Sequence, residues 1–237
     1  MFNRILNKMK MFNNLINNAE YLKNMQVNTY SNALISNILG NSYLPRTGMS
    51  LSAHSLSYLL NEILINNRTN IIEFGSGIST VLMAKLAVAN KIKLQITSVD
   101  EDNDWIIKLN EILSLENLQQ FVNFIYAPIK NSYYQNGQYL WYDEDILNKE
   151  IKNNRFDMVI VDGPKAYEKG KAEIRYGALP FIYNKLQDNF VIFLDDINRD
   201  GEKRIITKWE NEFKLKFNFD NRLAIAYRGK HFFANPI

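Results

Sequence analysis

Carboxylates recur in this chain where short apolar runs end. Glu73 stands in Ile71-Ile72-Glu73-Phe74-Gly75-Ser76-Gly77, and Asp100 follows Leu94-Gln95-Ile96-Thr97-Ser98-Val99. Asp162 follows Met158-Val159-Ile160-Val161, and the pair Asp195-Asp196 follows Val191-Ile192-Phe193-Leu194. Acids so placed can accept hydrogen bonds from ligand hydroxyls, move protons or hold a hard cation. Gly75 and Gly77 leave room for a tight turn and for close approach of a ligand to the backbone. Thr80 stands where a dinucleotide fingerprint has its third glycine, and Glu73 is ill suited to holding a pyrophosphate. A cationic or hydroxyl-rich ligand therefore fits this turn better than an anionic one. Asp100, roughly 20 residues beyond the glycines, is placed to accept from both hydroxyls of a ribose.

The elements that must position these groups alternate. Strands are expected at 70–74, 93–99, 122–126, 157–162 and 190–195, and helices near 79–89, 103–114, 169–185 and 200–212. The pattern predicts a Rossmann-like α/β fold, a mostly parallel sheet with helices on both faces. Lys214 to Phe219 and Leu223 to Tyr227, joined by Asp220-Asn221, read as a C-terminal antiparallel hairpin. Ligands of such sheets bind beyond the carboxyl ends of the strands.

If the fourth and fifth strands are neighbours, their ends lie only about 4.8 Å apart. Asp162, Asp195 and Asp196 would then converge, and their repulsion calls for a cation such as Mg²⁺ or Ca²⁺. Alternatively Asp196 caps the next helix and Asp162 alone serves as an acid–base group.

Upstream, Phe2, Ile5, Leu6, Met9, Phe12, Leu15 and Ile16 recur at helical spacing among Arg4, Lys8 and Lys10. A second helix is expected over 18–39, ending near Gly40. Pro45 and Gly48 mark a loop over 41–50, and the Ser50–Ser52 region caps a helix to about Leu64. Residues 1–49 thus form a helical extension with a lid loop, and residues 50–237 the ligand-binding domain. The extension is expected to pack on that domain or on a second subunit of a homodimer. Contact of its basic face with a membrane surface is the alternative.

Composition narrows the chemistry. The 237 residues include no cysteine and two histidines, which excludes disulfides, thiolate zinc sites, a cysteine nucleophile and a histidine-rich metal cluster. A net charge of +3 is too mild for a nucleic-acid binder. No run is long and apolar enough to span a bilayer and no signal-peptide core is evident, so a cytoplasmic location is expected.

Glu73-Phe-Gly-Ser-Gly, Asp100, the Asp162 strand and the closing hairpin resemble class I S-adenosylmethionine-dependent methyltransferases over roughly residues 50 to 230. Asp162-Gly163-Pro164-Lys165 and Asp195-Asp196 look like the metal-dependent O-methyltransferases related to catechol O-methyltransferase. The antibiotic sugar O-methyltransferases are similar and also carry Asp-Asp. This chain departs from them at Pro164, where the sugar enzymes have an acid, and at Asp196, where the catechol type has Asn. The resemblance implies that Glu73, Gly75, Gly77, Thr80 and Asp100 bind S-adenosylmethionine. It also implies that Asp162, Asp195 and Asp196 hold Mg²⁺ or another divalent ion, and that Lys165, with Asp162, serves catalysis by taking a proton. The expected reaction is methylation of a hydroxyl on a sugar-like or phenolic small molecule or glycan. A metal-independent methyltransferase is the alternative; an NAD-dependent oxidoreductase is disfavoured by Glu73 and Thr80.

For the acceptor, the stretch from Ser132 to Tyr142 supplies aromatics with polar tips, suited either to a substrate wall or to packing an insertion. Tyr43, Arg46 and His54 are lid candidates, with His54 favoured as a structural group at a helix start. Arg175 is read as a salt bridge on a helix, with substrate-anion binding as the other possibility, and His231 as a surface residue.

Overall fold

The computed structural model describes residues 2–134 and 137–236, with side chains described except at 2–9, 12–14, 16, 17, 20 and 24. Two helices, α1 (Phe2–Leu39) and α2 (Ala53–Ile65), precede the first strand. The chain then runs β1 (Asn70–Phe74), α3 (Ile78–Asn90), β2 (Gln95–Asp100), α4 (Asn103–Leu115) and β3 (Val122–Tyr126). A hairpin of β4 (Ile129–Tyr134) and β5 (Gly137–Tyr142) follows, then α5 (Glu144–Ile151) and β6 (Phe156–Val161). The last elements are α6 (Ala178–Ile182), β7 (Leu186–Leu194), α7 (Asp200–Phe213), β8 (Asn218–Asp220) and β9 (Leu223–Arg228).

Seven strands form one sheet in the order β3-β2-β1-β6-β7-β9-β8. The five strands from β3 to β7 are parallel, and β9 and β8 close the edge antiparallel. This is the Rossmann-like α/β arrangement that the alternating pattern predicts. The strand order reverses between β1 and β6, which opens a crevice at their carboxyl ends. Both sheet faces are covered, which is why Ile71–Ile72 of β1, Met158–Val161 of β6 and Phe190–Leu194 of β7 are apolar without a break. Ile71, Ile96, Met158 and Ile160 pack with α2 and α3 on one face. Ile72, Phe74, Val99, Val159 and Val161 pack with α7 and the β4–β5 hairpin on the other.

Some local expectations change. The two helices expected upstream are one continuous α1, because no glycine or proline interrupts residues 2 to 39. Val27, Ser31 and Ile35 are buried against the domain, whereas Met11, Leu15, Leu22 and Met25 are exposed. The side chains of Phe2, Ile5, Leu6, Met9, Phe12 and Ile16 lie outside the described residues. The helix expected over 169–185 is a turn at Ile174–Gly177 followed by the five-residue α6. Gly170, Gly177 and Pro180 explain the interruption.

The stretch between β3 and β6 folds into the β4–β5 hairpin, in which Trp141 and Tyr142 are fully buried. Gln135 and Asn136 lie outside the described residues. Packing is thus the role of these two aromatics. The indole fills the space above Gly177, where a Cβ would lie 2.5 Å from Trp141 Cγ.

At the closing hairpin Asn221 takes φ +54°, the left-handed conformation that asparagine tolerates. Ser52 caps α2 as expected, accepting from the Ser55 amide at 3.0 Å. Among the described residues no helix is long and apolar enough to cross a membrane.

Candidate active site

The turn after β1 is shaped by contact with the turn after β6. Gly75 has φ +97°, and a Cβ there would lie 2.6 Å from Gly163 N. Gly75 N–H donates to Val99 O at 2.8 Å and Gly163 N–H to Phe74 O at 2.6 Å, which ties the ends of β2, β1 and β6 together. Gly77 is different: its φ of −169° suits any residue, and a Cβ would meet only Ser79 Oγ at 3.7 Å. Its openness faces the crevice.

Glu73 is completely buried beneath this turn. Its carboxylate accepts from the hydroxyls of Ser79, Thr80 and, at 3.0 Å, Ser98. Burial raises its pKa to about 7, against the lowering effect of those hydroxyls. Thr80 Oγ1 also accepts from the Gly77 amide at 3.1 Å, fastening the first turn of α3. Glu73 and Thr80 therefore act on the shape of the turn from below, and neither borders the cavity above it.

That cavity measures about 630 Å³, a size typical of small-molecule sites. Gly75, Ser76 and Gly77 form its floor, Asp100 and Trp105 one side, and Asp162 and Lys165 another. Leu44, Met49 and Leu51 from the loop before α2 border it as well. Of the lid candidates, Tyr43 is 89% exposed and Arg46 donates to Asn32 Oδ1 at 2.6 Å, and neither borders the cavity. His54 is a structural group, held by Asp220 Oδ2 at 2.8 Å.

Asp100 accepts from the Ser76 amide at 2.7 Å and the Asp102 amide at 2.9 Å. Burial, reinforced by Glu101, raises its pKa to about 6. Its remaining lone pairs are available to ligand hydroxyls in the cavity. Trp105, at the start of α4, donates its indole N–H to Ser76 O at 2.9 Å and is 38% exposed. It offers an aromatic wall that the spacing of acids does not disclose. A tryptophan five residues past the strand-ending acid is the available signal.

On the other side the fourth and fifth parallel strands are neighbours, and one carboxylate oxygen from each of Asp162, Asp195 and Asp196 lies within 4.8 Å of the others. Their charges meet arginines. Arg175, 4% exposed, reaches Asp162 Oδ1 and Asp196 Oδ2 at 3.2 Å each and Glu202 Oε1 at 3.6 Å. It also donates to the main-chain oxygens of Asp162 at 2.5 Å, Pro164 at 3.3 Å and Asp195 at 3.4 Å.

Arg222 pairs with Asp195 Oδ2 at 2.9 Å and with Asp196 Oδ1, and Arg199 with Asp196 Oδ2 at 2.8 Å. Arg175 is thus no helix-surface salt bridge but a clamp across both strand ends. Asp196, with φ +64°, does not cap α7; that position is Arg199. Burial still drives Asp162 well above the usual carboxylate range, with Arg175 opposing, and Asp195 to about 6, with Arg222 opposing.

Lys165 sits at the rim, 45% exposed, with Nζ 3.7 Å from Asp102 Oδ2. His231 is not a free surface group. It bonds Glu62 Oε2 at 2.9 Å and stacks on Tyr227 with ring centres 4.0 Å apart.

A family described as a methyltransferase domain matches residues 72–197, more than half of the chain and the part that carries Glu73, Asp100, Asp162 and Asp195-Asp196. The chain belongs to the methyltransferase domain family. No curated protein matches it in sequence.

Solved structures resemble this methyltransferase in fold. An O-methyltransferase from Bacillus cereus in complex with S-adenosylhomocysteine is 14% identical, with 86% of this chain and 91% of that one covered at a TM-score of 0.57. The methyltransferase PaMTH1 of Podospora anserina, also bound to S-adenosylhomocysteine, is 14% identical over 84% and 95% of the chains, with a TM-score of 0.56. A Staphylococcus aureus protein described as a caffeoyl-CoA O-methyltransferase is 16% identical over 90% and 99%, with a TM-score of 0.55.

Proposed function

We propose that this methyltransferase uses S-adenosylmethionine to methylate a hydroxyl of a small molecule. The observation that carries the reading is the 630 Å³ cavity with the Gly75–Gly77 floor, Asp100 on one side and Asp162 on the other. In this reading Asp100 accepts from the ribose hydroxyls, Trp105 flanks the nucleoside, and the open face of Gly77 admits the amino-acid end. Glu73 and Thr80 hold the turn beneath. The S-adenosylhomocysteine bound by the Bacillus cereus and Podospora anserina proteins of the same fold supports the cofactor.

The methyl of a sulfonium is already electrophilic, so catalysis consists mainly of aligning the acceptor oxygen with it and removing a proton. Asp162 and Lys165 both border the cavity and are the candidates for receiving that proton. A sugar-like or phenolic acceptor fits a cavity walled by Leu44, Met49 and Trp105 together with polar groups. A cytoplasmic location accords with such an acceptor.

A second reading adds a divalent cation. The oxygens of Asp162, Asp195 and Asp196 converge, and Asp195 Oδ1 is buried with no hydrogen-bond partner, which fits a hard ion. Those three aspartates would hold it, and when bound it would lower the pKa of the acceptor hydroxyl. Against it, Arg175, Arg199 and Arg222 already supply the positive charge that three clustered acids require. The metal-free reading is the one the geometry favours. Turnover with a panel of phenolic and sugar acceptors, with and without EDTA, decides between them. Full activity in chelator supports the arginine-compensated site, and abolition reversed by Mg²⁺ overturns it.

A further inference from the structure

Beside the main cavity lies a smaller one of about 40 Å³, which shares Met49, Asp162, Lys165 and Tyr167 with it as walls. The other residues around it include Arg175, Arg199 and Arg222. Its volume suits one compact group and excludes an aromatic ring. Four cationic side chains border it against two carboxylates, Asp162 and Asp196. Asp195 and Glu202, at 2% and 1% exposure, lie behind this wall.

The guanidinium groups are not exhausted by the aspartates. Arg222 meets Asp195 and Asp196 through Nη2, and among the described residues no hydrogen bond engages its Nη1. Arg199 meets Asp196 and Glu202 through Nη1 alone, at 2.8 and 3.8 Å, and is 38% exposed. Open guanidinium donors at a cavity wall are best satisfied by oxyanions, which match their planar N–H forks.

We propose that this side cavity is an acceptor subsite for an oxyanion, a carboxylate or phosphoryl group carried by the molecule to be methylated. The subsite rests on the methyltransferase reading for its purpose, because it adjoins the cavity assigned to the cofactor. It narrows the acceptor class to hydroxyl compounds bearing a negative group one or two bonds beyond the ring or chain that carries the hydroxyl. Arg199 and Arg222 would orient that group, and Arg175 would keep the aspartates from repelling it.

The experiment uses the full chain. Binding of S-adenosylhomocysteine is measured by calorimetry, and inorganic phosphate and benzoate are titrated separately into the same protein while the arginine Nε–H resonances are followed by NMR. At least one anion is expected to shift the Arg199 and Arg222 resonances at millimolar concentration, phosphate alone indicating a phosphoryl group and benzoate alone a carboxylate. Arg199→Gln should weaken that binding by about tenfold, close to the loss of one charge-assisted hydrogen bond, without changing S-adenosylhomocysteine affinity. Arg222→Gln should do the same, and Arg199→Gln carries the test if that protein does not fold. No shift with either anion, or equal binding by Arg199→Gln, overturns the subsite. Anion binding without S-adenosylhomocysteine binding would keep the subsite and overturn the methyltransferase reading of the cavity.

Discussion

Gly75 and Gly163 meet backbone to backbone, so that a Cβ on either would lie 2.6 Å from main-chain atoms of the other. The ends of β1 and β6 are thereby brought as close as polypeptide allows, at the point where the strand order reverses. Alanine at either position should cost about 2–4 kcal/mol, from the clash at both sites and, at Gly75, the positive φ as well. Gly77→Ala should stay within about 1 kcal/mol of the parent yet lose cofactor affinity, because its Cβ would project into the cavity. Urea denaturation paired with S-adenosylhomocysteine calorimetry separates the two outcomes.

Asp100 gives cofactor binding a pH dependence of defined sign. Its pKa in the free protein is raised to about 6, and only the ionised form can accept from two hydroxyls without donating. S-adenosylhomocysteine should therefore bind more tightly as pH rises through 6 and weaken below it. Asp100→Asn should flatten that profile and lower affinity at pH 8 by about tenfold. A profile in Asp100→Asn that still breaks near pH 6 would assign the titration to another group.

Glu73 has the opposite consequence for stability. A carboxylate whose pKa rises from an ordinary value to about 7 on folding makes the folded state bind more protons than the unfolded one. Its contribution thus declines as pH climbs from the unfolded pKa through 7, and is fully lost above that. Calorimetric Tm should fall over this window in the parent and fall less in Glu73→Gln, which keeps an acceptor for the three hydroxyls.

Trp105 provides an optical reporter. Trp141 and Trp209 are fully buried, whereas Trp105 is 38% exposed at the cavity wall. Intrinsic fluorescence should change on S-adenosylhomocysteine binding, and Trp105→Phe should abolish that change while weakening binding by roughly 1 kcal/mol. A signal that persists in Trp105→Phe would place the cofactor elsewhere.

Arg175 carries the last prediction. Removing it as Arg175→Met takes the shared partner from the half-buried Asp162 and the buried Asp196 and Glu202, a loss of about 3–5 kcal/mol. Arg175→Lys keeps the charge but not the fork that reaches three main-chain oxygens. Both should be less stable than the parent in urea, with the methionine variant the worse and relatively improved at acid pH.

Glu73, Asp162 and Asp195 could be read from the chain because each follows an uninterrupted apolar run, and Asp100 because of its spacing from the glycines. The same runs located β1, β2, β3, β6 and β7 within a few residues at most ends. Their counter-charges could not be read so simply. Arg175 and Arg222 reach the aspartates from a turn and from the tip of the closing hairpin, and nothing in local spacing brings those segments to β6 and β7. Only Arg199, three residues after Asp196, was within reach of a local argument. The tyrosine-rich stretch left two roles open for another reason. Aromatics with polar tips suit a binding wall and a packed hairpin equally, and burial of Trp141 and Tyr142 is decided by Gly177 and Phe74, distant in sequence.

The loop that precedes α2 gives the main cavity an unusual relation to the chain. Its walls come from stretches near residues 44–51, 75–81, 100–112 and 162–167, so a bound molecule touches four segments that the backbone keeps far apart. A ligand there works as a removable cross-link between the part of the chain before the sheet and the sheet itself. At a hundred times its Kd it would add about 2.7 kcal/mol against unfolding. The segment it fastens is otherwise held by the buried Leu44 and Leu51, by the Lys85–Ser42 hydrogen bond at 3.0 Å and by the last turns of α1. Protection of residues 41–51 from proteolysis should therefore track cofactor occupancy rather than global stability.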